Sequence, residues 1–309
     1  MQPDRQTIED VAAELGVAPA FVEKDWHAVR LLDAISQRIA APPTPVFAGG
    51  TSLSKGYGLI KRFSEDLDFR LDPASRDASD RSLWRSFRRR LVEIVGDVEG
   101  MQPNTGGLEL GSSFCKLPVQ YRNTFDVPES LRPHLQLEFS YRGPRREPKL
   151  REVSSLIGEV AGSTAELEIS CLVPEETAAD KLCALTWRVL HRNRDAINDD
   201  PTVIRHLHDL KAMLPVLEID QCFLEDVRKA HDADNDTRKR RIGMSIGEGM
   251  RKAREKLKDD PLWREEYDQF VAGTWYGEES AKIPFEDAVS GFDHLIVLLE
   301  KGGLGVEPT

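Results

Sequence analysis

Apolar residues recur at helical intervals in the first hundred positions. From Pro19 onward, Val22, Trp26, Val29, Leu32, Ile35 and Ile39 repeat three or four residues apart, the spacing that gathers side chains on one face of a helix. Pro19 suits a first helical turn, and Pro42 with Pro43 ends the run. Ahead of it, Thr7 with Asp10 fits a helix start and Gly16 a stop. Trp84, Phe87, Leu91, Ile94 and Val95 predict another helix, after a polar, turn-rich Asp72–Asp80 segment.

Two other stretches alternate with a period of two and predict strands. In Asp66-Leu67-Asp68-Phe69 the carboxylates fall on one face and the apolar side chains on the other. In His134–Tyr141, Leu135, Leu137 and Phe139 alternate with Gln136, Glu138 and Ser140, so Glu138 faces away from Leu137 and Phe139. The run from Pro45 to Ala48 and the segment Leu167-Glu168-Ile169 read as further strands. From Pro174 the pattern is helical, through Ala178, Ala179, Leu182, Cys183, Leu185, Trp187 and Val189, and again over Ile219–Lys258 and Pro284–Leu299. The expected organisation is an α/β (α+β) core with a small mixed sheet over residues 1–173, followed by a helical domain over 174–309, with a loose tail at Gly302–Thr309.

Composition narrows the function classes. The 309 residues suffice for a substantial core. The 4 cysteines, Cys115, Cys171, Cys183 and Cys222, form no Cys-x-x-Cys pair, which argues against a zinc site or a disulfide framework. The first ten residues are polar and acidic, and no apolar run is long enough for a bilayer, so a cytoplasmic protein without membrane contact is expected. A net charge of -11 disfavours wrapping of nucleic acid by the whole surface but leaves room for local basic tracks. Candidates are Arg85, Arg88, Arg89 and Arg90 on one helix, a loop with Arg142, Arg145, Arg146, Lys149 and Arg151, and the stretch holding Arg238–Arg241 with Arg251, Lys252, Arg254, Lys256 and Lys258. Such runs are more often solvated helix faces. The aromatic group Trp263, Tyr267, Phe270, Trp275 and Tyr276 could stack on bases, but core packing is the commoner use.

The segment Phe47–Leu71 carries the clearest chemistry. Gly49 and Gly50 stand between a strand and a helix, where backbone N–H groups can cradle a phosphate. Asp66 and Asp68 follow within the same segment, and paired carboxylates suit two Mg²⁺ ions, which take hard oxygen ligands. A phosphate cradle beside such a pair is the apparatus of phosphoryl or nucleotidyl transfer. Gly-Gly pairs and Asp-Leu-Asp strand ends are each common on their own.

Taken together, Gly49-Gly50-Thr51, Leu53, Lys55, Ile60, Arg62, Ser64, Asp66, Leu67 and Asp68 resemble the Gly-Gly-Thr and Arg-x-Ser-x-Asp-x-Asp segments of the AbiEii/AbiGii toxin family, within the polymerase-beta-like nucleotidyltransferase superfamily. Glu23-Lys24-Asp25-Trp26 is similar to a segment preceding the family's glycine motif. In the structure its expected role is a Trp26 core anchor with Lys24 or Asp25 near the site rim. Leu137-Glu138-Phe139 with Arg142 resembles the third-carboxylate segment, and Leu167-Glu168-Ile169 has the same local form, so Glu138 is favoured over Glu168 without being the sole candidate. Lys181 falls in a Lys-x-x-Ala-Leu run, and a lysine on an apolar helix must snorkel or meet an anion. Arg205-His206-Leu207-His208-Asp209-Leu210 resembles the closing Arg-x-x-x-Asp-Leu motif, although an Arg205–Asp209 pair is also an ordinary helical ion pair.

The resemblance implies a type IV toxin that transfers a nucleotide from an NTP to an acceptor hydroxyl, most readily the tRNA acceptor end, with a separately encoded AbiEi-type antitoxin. It implies Asp66, Asp68 and Glu138 as ligands of two Mg²⁺ ions. Gly49, Gly50, Thr51, Lys55, Arg62, Ser64 and Lys181 would meet the nucleotide, and Asp209 would orient Lys181 or Arg205. The rivals are nucleotide transfer onto a protein hydroxyl and a non-catalytic module that binds nucleotide or antitoxin.

Overall fold

The computed structural model describes residues 2–72, 81–111, 114–128, 131–197, 199–236 and 240–304. These fall into two compact units, Met1–Val173 and Pro174–Thr309. Residues 73–80 of the polar segment, Arg238 and Lys239 of the basic stretch, and residues 305–309 of the tail lie outside the described residues.

The first unit opens with α1 (Arg5–Leu15) and α2 (Pro19–Arg38). Asp4, rather than Thr7, caps α1 by accepting from the Thr7 backbone N–H at 2.8 Å. Asp is among the strongest N-cap residues. Gly16, at φ +66, closes α1 in the left-handed conformation that glycine adopts without penalty. After α2 come β1 (Thr44–Ala48), α3 (Gly49–Lys55), β2 (Asp66–Asp72) and α4 (Arg81–Asp97). The remaining elements are β3 (Met101–Pro103), β4 (Glu109–Leu110), β5 (Phe114–Tyr121), β6 (Leu135–Ser140), β7 (Lys149–Val153), α5 (Leu156–Val160) and β8 (Leu167–Cys171).

Among the described residues the strands form one 8-stranded mixed sheet in the order β3-β5-β6-β2-β1-β8-β7, with β4 on β5. β2 runs antiparallel to β1 and parallel to β6. The alternation in β2 is realised: Leu67, Phe69 and Leu71 are buried, and Asp66, Asp68 and Arg70 face the other side. On the apolar face, Phe69 stacks on Phe139 with ring centroids 4.9 Å apart, and Phe87 of α4 meets Phe139 edge-on at 5.1 Å. Val29, Leu32 and Ile35 of α2 and Leu83, Trp84 and Leu91 of α4 complete this core. Burying each such side chain contributes roughly 1.5–3 kcal/mol. The opposite face is thereby left for polar side chains.

The basic loop expected at Arg142–Arg151 ends in a strand instead, because Lys149 and Arg151 belong to β7 at the sheet edge. Charged side chains are a usual guard on an edge strand, and the Arg151 guanidinium lies over the Tyr57 ring at 4.4 Å.

The second unit consists of α6 (Pro174–His191), α7 (Arg205–Met213), α8 (Gln221–Asn235), α9 (Ile246–Asp259), α10 (Leu262–Thr274) and α11 (Phe285–Lys301). Its basic residues largely face acids within the unit: Arg251 pairs with Glu300, Lys252 with Glu248, and Arg254 and Lys258 with Asp293. Trp263, Tyr267 and Phe270 are buried. The basic residues thus form solvated ion pairs, and these three aromatic residues serve packing.

His27 of α2 is buried between Trp26 and Tyr121, with ring centroids 4.8 and 4.6 Å away. Burial first, and Arg30 second, push its pKa down from 6.5 to about 4. The unfolded chain then binds a proton below about pH 6.5 that the folded chain refuses until about pH 4. The stability tied to His27 is therefore complete above pH 6.5 and declines as the pH falls through this window, by at most about 1.4 kcal/mol per pH unit. Urea unfolding followed from about pH 7 to about pH 5 should show this decline, and His27→Leu should make it shallower.

Candidate active site

The site residues of the first unit lie on the polar face of the sheet, where strand register brings them together. Lys116 of β5 is opposite Glu138 of β6, Glu138 is opposite Asp68 of β2, and Asp68 is opposite Ala48 of β1. With neighbouring strands about 4.8 Å apart, this is a continuous row across four strands. Asp66 stands two positions along β2 on the same face, opposite Gln136. Glu168 is elsewhere. It lies on β8, three residues before Cys171, which pairs with Phe47 in a parallel ladder, and it faces solvent opposite Glu152. Parallel pairing puts Glu168 level with the start of β1, whereas Asp68 is level with its end. Strand topology thus separates the two Leu-Glu-apolar segments that local pattern leaves equal.

The glycine pair is a point of close approach. Gly49 has φ +72, and a Cβ there would come within 2.0 Å of Asp68 Oδ2. A Cβ on Gly50 would meet Ser64 Oγ at 2.8 Å and an Arg62 guanidinium nitrogen at 2.9 Å. The sequence therefore needs glycine twice so that Asp68, Ser64 and Arg62 can crowd the start of α3. Ala48, at the N-cap, has no side-chain acceptor to offer that first turn, and the leading N–H groups of a helix have no partner within the helix itself. Thr51 tightens the junction from within, since its hydroxyl donates to the Asp66 carbonyl at 2.5 Å.

Lys55 takes a different place from its expected one at the nucleotide. Its ammonium is buried and lies 2.8 Å from Asp25 Oδ1 and 3.1 Å from Glu159 Oε1. Lys24 and Asp25 are likewise buried rather than at a rim. The reason is that Glu23, Lys24 and Asp25 each have partners from elsewhere in the chain. Glu23 accepts from the backbone N–H and hydroxyl of Thr124. Asp25 accepts from the Leu156 N–H at 2.6 Å. Lys24 donates to Glu65 Oε2 at 2.5 Å and to the Arg132 carbonyl at 2.9 Å. Burial pushes the Lys24 ammonium below its ordinary pKa, with Glu65 opposing, and pushes the Asp25 carboxyl up, with Lys55 opposing.

Three cationic or anionic partners were not legible in the sequence. Arg132 donates to Asp66 Oδ1 at 2.6 Å, Glu65 accepts from the Arg132 N–H at 2.7 Å, and Lys116 lies 2.6 Å from Glu138 Oε1. Burial would lower the Arg132 pKa, but the Asp66 and Glu65 carboxylates prevail and hold it above the ordinary value. Lys116 shows a weak signal, as the polar position between buried Cys115 and Leu117. Arg132, in a turn before Pro133, shows none.

Asp66, Asp68 and Glu138 supply the hard oxygen donors that a divalent cation such as Mg²⁺ selects. They share a face without closing into a cage: among the described residues no three His, Cys, Asp or Glu side chains converge as a metal site. Asp66 and Glu138 are each engaged by a side-chain cation.

In the second unit, Lys181 of α6 and Asp209 of α7 form a buried ion pair, Nζ to Oδ2 2.8 Å, with side-chain exposures of 8% and 0%. His208 Nδ1 lies 3.4 Å from the other Asp209 oxygen. Arg205 turns to Asp200, at 3.1 Å. The anion met by Lys181 is thus Asp209.

A profile of the AbiEii family, described as nucleotidyl transferase AbiEii toxin of type IV toxin–antitoxin systems, matches residues 30–291. The match extends well past Leu210, where the recognisable motifs end, and begins after Glu23–Trp26. A search of curated proteins finds no match. Among solved structures, MenT4, a nucleotidyltransferase toxin from Mycobacterium tuberculosis H37Rv, is similar in fold, with a TM-score of 0.53 and 21% identity over 92% of this chain and 98% of that one. Because the family profile spans most of the chain, the chain belongs to the AbiEii family of nucleotidyl transferase toxins of type IV toxin–antitoxin systems.

Proposed function

We propose that this nucleotidyltransferase transfers a nucleoside monophosphate from an NTP to the acceptor end of tRNA, using Asp66, Asp68 and Glu138 with Mg²⁺. The observation that carries this reading is the row of carboxylates on adjacent strands, beside a helix start where two glycines let Asp68, Ser64 and Arg62 approach the backbone. The acceptor hydroxyl forms a new bond to the α-phosphorus, the bond from that phosphorus to the α–β bridging oxygen breaks, and pyrophosphate leaves. Bound divalent metal supplies charge neutralisation of the phosphates and a lowered pKa for the attacking hydroxyl. Asp66 and Asp68 are the residues to hold it, while Glu138, next to Asp68, holds it or accepts the hydroxyl proton. The leading N–H groups of α3, which Ala48 at the N-cap cannot serve, suit phosphate oxygens, with Arg62 and Ser64 close by at Gly50.

Lys181 is assigned to the triphosphate, with Asp209 holding its ammonium in place. Membership of a type IV toxin–antitoxin family supports an antitoxin partner, and we take that partner to be of AbiEi type and the acceptor to be RNA. The helix-to-helix ion pairs of the second unit's basic residues make that face a poor RNA track.

Two outcomes are expected. With α-labelled NTP, Mg²⁺ and total RNA, the protein should label a tRNA-sized product, and Asp66→Asn or Asp68→Asn should abolish labelling while the melting temperature stays near that of the parent. Label on protein instead of RNA would redirect the acceptor assignment, and near-normal turnover by either variant would refute the metal role.

The second outcome concerns the buried pair. Lys181→Met leaves the Asp209 carboxylate buried without its ammonium and should cost about 3–5 kcal/mol in addition to activity. Lys181→Met with Asp209→Asn removes both charges and should recover much of that stability. Transfer by the double variant should be scarcely slower than by either single variant, because residues acting as a unit give non-additive losses. Multiplicative losses in the transfer assay would show that the two act separately.

A further inference from the structure

Asp66 and Glu138 each carry an internal cation, and only one of those two cations is built into its position. Arg132 is fixed at both ends of its own peptide: its carbonyl accepts from buried Lys24 at 2.9 Å, and its N–H donates to Glu65 at 2.7 Å. Lys24 also fixes Glu65, at 2.5 Å, so one ammonium with 1% side-chain exposure anchors both the arginine backbone and its neighbouring anion. From that anchor the Arg132 side chain, 40% exposed, reaches Asp66 Oδ1 at 2.6 Å. Lys116 is simply the strand neighbour of Glu138, paired across the ladder.

We propose that Arg132 is a built-in counter-cation of Asp66, held by Lys24 and Glu65 as positioning residues, which a divalent metal must displace before it can use that carboxylate. The inference rests on the assignment of Asp66 to the metal. A guanidinium and a divalent ion on one carboxylate repel each other strongly at such short range. The anchored backbone keeps Arg132 next to the site after its tip leaves, and the exposure of the tip allows it to move. Without metal, the same contact spares the sheet an uncompensated carboxylate, which accounts for three acidic side chains on one face without a closed cage.

The direction of the effect distinguishes a competing cation from a structural support. Titration of the full-length protein with Mn²⁺ alone, read by calorimetry and by the loss of the free-ion electron paramagnetic resonance signal, should give roughly tenfold tighter binding for Arg132→Met than for the parent protein. Arg132→Lys keeps the charge and should bind close to the parent. Equal or weaker Mn²⁺ binding by Arg132→Met, with a cooperative melt showing it folded, would overturn the inference. Asp66→Asn is the control for the underlying reading. If it leaves Mn²⁺ binding unchanged, the metal assignment itself fails; if it removes binding while Arg132→Met does not tighten it, only the counter-cation role fails.

Discussion

A lysine ammonium buried to 1% exposure has to be answered by anions, and the way Lys24 is answered fixes the geometry around Asp66. The helix α2 presents one face to the sheet core through Val29, Leu32 and Ile35, and a single turn, Glu23 to Asp25, presents charge to Thr124, to Glu65 and to the start of α5. Each charge has its partner, so the turn is tolerated in the interior, whereas removal of one member would leave an isolated buried charge costing about 3–5 kcal/mol. Through Glu65 and Arg132 the constraint reaches the first carboxylate of β2. Through Asp25 and Lys55 it reaches the end of α3, the helix that begins with the glycine pair.

The sheet supplies the second constraint. Because β2 and β6 run parallel in register, Asp68 and Glu138 are side by side while Phe69 and Phe139 stack beneath them. A slip of one residue would drive the carboxylates into the core and the rings into solvent, so the same hydrophobic alternation that stabilises the sheet aligns the acids. Gly49 then lets α3 start close against Asp68. Packing and placement of chemistry are consequences of one register.

This division explains what could be read from the chain beforehand. The alternation in Asp66–Phe69 and Leu135–Ser140, and the proline and glycine punctuation of α1, α2 and α6, are local signals, and local structure obeyed them. The family match supports the reading of the motifs as those of a nucleotidyltransferase toxin. That Glu138 and not Glu168 neighbours Asp68 depends on strand order, which no local pattern contains. Lys24, Lys55, Arg132 and Lys116 escaped for a related reason. Their partners lie on other elements, as Lys24 to Arg132 spans 108 positions, Lys55 to Glu159 spans 104 and Lys116 reaches Glu138 across the β5–β6 ladder. Lys24 and Lys55 are interior because their counter-charges fold back onto them. Thr7 with Asp10 has the form of a helix start, yet the helix begins one turn earlier, where Asp4 accepts from the Thr7 N–H.

The most direct test of the carboxylate row is the position of the metal itself. Crystals grown with Mn²⁺ and a non-hydrolysable NTP analogue should show anomalous density within about 2.2 Å of carboxylate oxygens of both Asp66 and Asp68, with the Arg132 guanidinium moved off Asp66. Manganese bound elsewhere, with Arg132 still on Asp66 and the analogue away from Gly49 and Gly50, would contradict the assignment of this face to nucleotidyl transfer.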